Sequence, residues 1–118
     1  MTRQPVNSHL VSDFKKLLQL YFQSDALLED GLPSVRYFSE KLNYSTYYLS
    51  DLLKSETGKT TQDHIHDFLI KKAKDALLDS ELSVSEIAYS FGFSYPNYFG
   101  KLFKKKTGLT PLDYRNSN

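Results

Sequence analysis

Residues 91–111 read FGFSYPNYFGKLFKKKTGLTP, from Phe91 to Pro111. The stretch mixes aromatic residues, three glycines, two prolines and a lysine run. Two local structures compete at its start. The alternation Phe91, Phe93, Tyr95 fits a strand, whereas Phe99, Leu102, Phe103 has helical spacing. Gly92 and Pro96 bracket the alternation too tightly for a strand. Gly92 adopts positive φ without a Cβ penalty, which makes Gly92-Phe93 a turn. Ser94 can cap a helix, and Pro96 then falls in its first turn, where a missing N–H costs little. Gly108 stops that helix, and Thr110-Pro111 opens a brief last one with proline at the favoured first position. The stretch therefore reads as a turn and a helix. Phe91, Phe93, Phe99, Leu102 and Phe103 go inward, and Pro96, Asn97, Gly100, Lys101 and Lys104 go outward.

Working back from Phe91, Ser83-Val-Ser-Glu86 is a capping box, with Leu82 and Ile87 placed as its hydrophobic staple. The helix it opens buries Val84, Ile87, Ala88 and Phe91. A long helix precedes it, from Thr60 or Thr61 to near Asp79, with Ile65, Phe68, Leu69, Ala73, Ala76 and Leu77 on its core face. Ser45 can cap a helix that buries Leu49, Leu52 and Leu53 and stops at Gly58. Asn43-Tyr44 is a turn. Ser34 can cap a shorter helix with Val35, Phe38 and Leu42 in one stripe. Residues 25–33 read as a connection, with Gly31 and Pro33 as breakers. The first helix, roughly residues 8–23, repeats apolar residues at three and four from Leu10 to Phe22. The chain is thus all-α.

The chain has 118 residues, one ordinary domain's worth. Its 40% hydrophobic and 25% charged content supports a packed core rather than disorder. There is no cysteine, hence neither a disulfide framework nor a thiolate metal site, which fits a reducing, cytoplasmic compartment. No apolar run approaches the ~18 residues of a membrane span, so no membrane contact is expected of this segment. The net charge of +1 gives no global push toward nucleic acid. The positive excess sits in the C-terminal third, where residues 83–118 carry Lys101, Lys104, Lys105, Lys106 and Arg115 against Glu86 and Asp113; a lysine run on a helix is usually a solvated face.

The chain also contains an internal repeat. Ser34-Val35 matches Ser83-Val84, and Asn43-Tyr44-Ser45 matches Gly92-Phe93-Ser94. After one inserted residue, Leu52, Lys54, Thr57-Gly58 and Thr60 match Leu102, Lys104, Thr107-Gly108 and Thr110. Each unit is a short helix, a tight turn and a second helix, the layout of a helix-turn-helix. Two helical hairpins also fit a small α-solenoid, but two units are few and a long helix separates them. That helix, ~19 residues, spans about 28 Å. The major groove recurs every ~34 Å on one face of B-DNA, so two second helices on such a spacer can enter successive groove segments.

The C-terminal unit, LSVSEIAYSFGFSYPNYFGKLFKKKTGLTPLDYR (Leu82–Arg115), closely resembles the signature of AraC/XylS-type transcription regulators. The residues that carry the likeness are Ile87-Ala88, Gly92-Phe93, Ser94, Tyr98-Phe99, Phe103-Lys104-Lys105, Gly108, Thr110-Pro111 and Tyr114-Arg115. The segment from Leu32 to about Asp63 resembles the family's more divergent first helix-turn-helix. The resemblance covers roughly Pro33–Arg115. It implies a DNA-binding domain of about seven helices, with two helix-turn-helix subdomains joined by a long central helix. The expected organisation is an N-terminal linker and helix (residues 1–31), a first helix-turn-helix (32–60), a connecting helix (61–81), and a second helix-turn-helix with a C-terminal helix (82–118). The resemblance also implies binding to double-stranded promoter DNA, usually bacterial, contact with RNA polymerase in an activator, and often a separate sensor domain. None is visible here, so the chain is either a fragment or a short stand-alone member, with the fragment favoured.

Base reading needs side chains that reach base edges, and affinity needs contacts to phosphate. On the helix after Ser45, family position points to Tyr47, Ser50 and Asp51 as base-edge candidates. Asp51 departs from the basic or amide residue of many relatives. It either accepts from cytosine N4 or caps or pairs locally. On the helix after Ser94, Asn97 suits adenine and Lys101 suits guanine. Gly100 either admits close approach of DNA or permits tight helix packing, with packing preferred. Tyr98 is expected to be half-buried, with its hydroxyl free for phosphate. The other phosphate candidates are Lys54, Lys104, Lys105, and the hydroxyls of Ser45 and Ser94; Lys106 is read as a bystander. His64 and His66 are two apart on a helix and share no face, so no metal site and no cofactor are expected. No nucleophile elbow, HExxH or phosphate loop appears, so no enzyme is expected. The rival to DNA binding is a non-enzymatic helical protein-interaction module using Tyr47, Tyr48, Tyr95 and Tyr98.

Overall fold

The computed structural model describes residues 5–117, with side chains from His9 onward. The first four residues of the expected N-terminal linker, and Asn118, lie outside the described residues. Among the described residues the secondary structure is entirely helical: α1 (Pro5–Gln23), α2 (Ala26–Asp30), α3 (Val35–Leu42), α4 (Thr46–Thr57), α5 (Thr61–Asp79), α6 (Val84–Ser90), α7 (Pro96–Thr107) and α8 (Pro111–Asn116). The helix beyond the expected seven is α2, in the stretch read as a connection. α1 also starts earlier than residue 8, since proline is tolerated in a first helical turn.

The described chain forms two compact units. Unit 1 comprises the residues up to Asp25 and Pro33–Ile65; unit 2 comprises Ala26–Leu32 and the residues from His66 on. α1 belongs to unit 1 and packs on α3 and α4.

In unit 1 the α1 stripe of Leu10, Phe14, Leu18 and Tyr21 is buried with Phe38, Leu49, Leu53 and Ile65. Phe14 meets Phe38 edge-on at 4.8 Å and His64 at 5.6 Å. Fully burying a phenylalanine contributes about 1.5–3 kcal/mol, so Phe14 and Phe38 anchor the unit. The Ser34 hydroxyl accepts the Tyr37 N–H at 3.0 Å, and the Ser45 hydroxyl accepts the Tyr48 N–H at 3.0 Å.

In unit 2 the core is aromatic. The Phe99 ring lies 6.3 Å from Phe91, 5.6 Å from Phe93 and 6.0 Å from Phe103, and Phe103 meets Tyr114 at 5.6 Å. Ser83 and Glu86 form the expected capping box, and the backbone N–H and hydroxyl of Ser83 hold the Glu86 carboxyl below its ordinary range. Leu82, expected as the staple, is 44% exposed. The α2 segment belongs here because Leu27 is buried and the chain reverses against Gly92. Gly92 has φ +85°, and a Cβ there would collide with the Leu27 carbonyl oxygen and sit 2.6 Å from the Gly31 Cα.

Arg115 closes the C-terminal end of α5. Its Nε donates to the Leu77 carbonyl at 2.8 Å and Nη2 donates to the Ser80 carbonyl at 3.3 Å. These carbonyls lack intrahelical partners. Arg115→Ala is expected to cost about 2 kcal/mol, the value of charged hydrogen bonds. Arg115→Lys should recover only part, because an ammonium lacks the planar fork. Urea unfolding of the three proteins checks this: a midpoint for Arg115→Ala equal to that of the parent would refute it.

Candidate nucleic-acid interface

The internal repeat extends to hydrogen bonds. α4 and α7 each have 12 residues. Both end in a left-handed glycine, Gly58 at φ 80° and Gly108 at φ 84°. The Thr57 hydroxyl donates to the Leu53 carbonyl at 2.7 Å and accepts the Lys59 N–H at 3.2 Å. The Thr107 hydroxyl donates to the Phe103 carbonyl at 2.8 Å and accepts the Leu109 N–H at 3.1 Å. Thr60 and Thr110 then cap the following helices, taking the N–H groups of Asp63 and Asp113. The Thr57 hydroxyl also lies 2.8 Å from His64 Nε2.

The inserted residue falls in the turn, which corrects the expected cap. One residue, Tyr44, separates left-handed Asn43 (φ 62°) from the cap Ser45. Two residues, Phe93 and Ser94, separate Gly92 from the cap Tyr95. Tyr95 therefore occupies the N-cap, without a side-chain cap bond, and Ser94 is left exposed in the turn. Pro96 at the first helical position softens the loss, because it has no N–H to satisfy.

With α4 aligned on α7, Tyr47 matches Asn97, Ser50 matches Gly100, Asp51 matches Lys101 and Lys54 matches Lys104. On α4, Tyr47 is 80% exposed, and Asp51 and Lys54 are exposed. Ser50 is half-buried, its hydroxyl 3.2 Å from that of buried Thr61, so it is engaged within unit 1. Asp51 lies mid-helix, which removes the capping reading, and among the described residues it has no hydrogen-bond or ion-pair partner.

On α7, Asn97, Lys101, Lys104 and Lys105 are exposed and likewise without partners among the described residues. Lys106 instead pairs with Asp67 at 3.3 Å. A shallow open depression of about 460 Å³ is lined by Asn97, Gly100, Lys101, Lys104, Lys105 and Thr110. Thr110 was not among the candidates; its only sequence signal was its cap position. A Cβ at Gly100 would meet nothing within 4 Å, so the packing explanation of this glycine fails. Tyr98 is 57% exposed rather than half-buried, with its ring 5.7 Å from Tyr95. The described residues hold no group of three or more His, Asp or Glu able to bind a metal. No described helix is long and apolar enough to cross a membrane.

Two outward helices on paired helix-turn-helix hairpins are matched by a family model, Helix-turn-helix domain, over residues 38–117. The chain belongs to the AraC/XylS-type helix-turn-helix family. Members of this AraC/XylS-type family are DNA-binding transcription regulators. The chain is 38% identical over 77 residues to the HTH-type transcriptional activator RhaS of Escherichia coli, covering 65% of this chain and 28% of RhaS. It is 31% identical over 102 residues to histidine kinase P4 of Formosa agariphila, covering 83% of this chain and 7% of the kinase. It thus spans a minor part of these relatives. Among solved structures, the C-terminal domain of the response regulator AraT from Geobacillus stearothermophilus aligns with TM-score 0.80 and 29% identity, over 92% of this chain and 85% of that one. The DNA-binding domain of AdpA, solved with a target DNA, shares the fold at TM-score 0.73 and 20% identity, over 88% and 90% of the two chains.

Proposed function

We propose that the chain binds promoter DNA sequence-specifically, with α7 and α4 as recognition helices in major-groove segments. The observation that supports this best is the outer face of α7, where Lys101, Lys104 and Lys105 stand exposed and unpartnered around a depression headed by Asn97. Single lysines on a helix are ordinary solvated residues. Three of them beside an amide, on a helix anchored through Phe99 and Phe103, give a fixed cationic surface suited to phosphate and base edges. On this reading Asn97 and Lys101 on α7, and Tyr47 and Asp51 on α4, read bases, while Ser50 contributes little because it is bonded to Thr61. Lys54, Lys104, Lys105, Tyr98, Ser45 and Ser94 hold phosphates. The module is non-enzymatic and acts in the bacterial cytoplasm. In a full-length regulator a sensor domain governs it, and an activator of this kind contacts RNA polymerase.

The test is binding of the 118-residue protein to duplex DNA from its own gene neighbourhood and to scrambled duplex, across a salt series. Affinity should fall steeply with salt, about 0.9 log unit per log unit of salt for each phosphate contacted. Lys105→Ala should weaken all duplexes alike and reduce that slope by about 1. Lys101→Ala should instead lower discrimination by about tenfold, within the range of one base contact. No preference at any salt would overturn the reading. Salt-insensitive capture of a protein partner would favour an aromatic interface at Tyr47, Tyr48, Tyr95 and Tyr98.

A further inference from the structure

Gly100 is the one glycine whose backbone does not explain it. Gly31, Gly58, Gly92 and Gly108 all hold positive φ, but Gly100 sits inside α7 in helical conformation. A glycine there weakens a helix relative to alanine. Packing does not explain it either, since an added Cβ would meet no atom within 4 Å. The matching residue of α4, Ser50, is used internally through Thr61. On α7 the residue matching Thr61 is Pro111, which has no hydroxyl to offer. The bare Cα of Gly100 instead forms part of the open depression between Asn97, Lys101 and Lys104.

We propose that this notch receives the 5-methyl group of a thymine, an inference that rests on α7 facing the major groove. The depression presents chiefly carbon surface. The thymine methyl is the one apolar group that the four bases present in the major groove. The Lys104 and Lys105 head groups at the rim match the phosphates that flank such a base. Asn97, one turn before Gly100 and on the same face, is placed for the N6 and N7 of adenine. The two positions together fit an A·T pair or two adjacent ones.

The experiment selects a preferred duplex from a randomised pool with the 118-residue protein. It then replaces each thymine singly by deoxyuridine, which removes only the methyl group. One thymine should lose about fourfold in affinity, the value of one buried methyl. Gly100→Ala should bind the thymine duplex more weakly, lose no more with deoxyuridine, and show a raised thermal midpoint. The raised midpoint separates a filled notch from a misfolded protein. Absence of any methyl-sensitive thymine, or full methyl sensitivity in Gly100→Ala, would overturn the assignment while leaving DNA binding intact. A pool that yields no preferred sequence would overturn both this inference and the reading beneath it.

Discussion

Gly92→Ala is expected to lower the thermal midpoint of the chain by about 10–15 °C. Two costs combine. An L-residue held at left-handed φ loses about 1 kcal/mol, and overpacking against backbone that must move adds about 2 kcal/mol. The atoms in the way are the Leu27 carbonyl oxygen and the Gly31 Cα, not the yielding end of a side chain. Gly58→Ala is the matched control. Its φ is nearly the same, yet nothing lies within 4 Å of the added Cβ. It should lose only the backbone cost of about 1 kcal/mol. Circular-dichroism melts of the two variants decide the matter, and equal losses would mean that α2 yields to Gly92 without resistance.

Phe103→Ala should cost about 4 kcal/mol, in the range for truncating a fully buried aromatic. Phe103 has no exposed surface and touches the rings of Phe99 and Tyr114. The same helix carries Lys101, Lys104 and Lys105, so the loss should extend from stability to DNA affinity. Phe103→Leu keeps most of the volume and should cost less than about 1.5 kcal/mol, with affinity close to that of the parent. Denaturant unfolding and anisotropy on one duplex test both. Parental affinity in a strongly destabilised Phe103→Ala would show that the lysine face does not depend on the aromatic core.

The paired hairpins were legible in the sequence because their signals are local. Capping serines, Gly58, Gly108 and the three-and-four spacing of apolar residues each act within a turn or two of the chain. The inserted residue was legible as well, but not its place. Ser94 is as good a cap as Ser45 by residue type, and only the backbone shows that the longer turn moves the cap to Tyr95. α2 was missed because Gly31 and Pro33 read as breakers, while the contact that buries Leu27 comes from a residue some sixty positions later. The site was legible as residue types on an outer face. Whether Ser50 was free, Asp51 unpaired or Gly100 open depended on neighbours that the linear pattern does not contain. Thr61, buried beneath Ser50, is one such neighbour.

The position of α2 has a consequence for how the chain is made. Residues 26–32 belong to unit 2 but are flanked on both sides by unit 1. As the polypeptide emerges during synthesis, α1, α3 and α4 can associate once about half of the chain is out. α2 must wait, unpaired, until Gly92 has followed. Synthesis from the N-terminus therefore predicts that unit 1 forms first, around a tethered loop, and unit 2 last. A fragment beginning at residue 38, where the match to the family model starts, would deprive both units at once: one of its first helix, the other of the turn that seals Gly92.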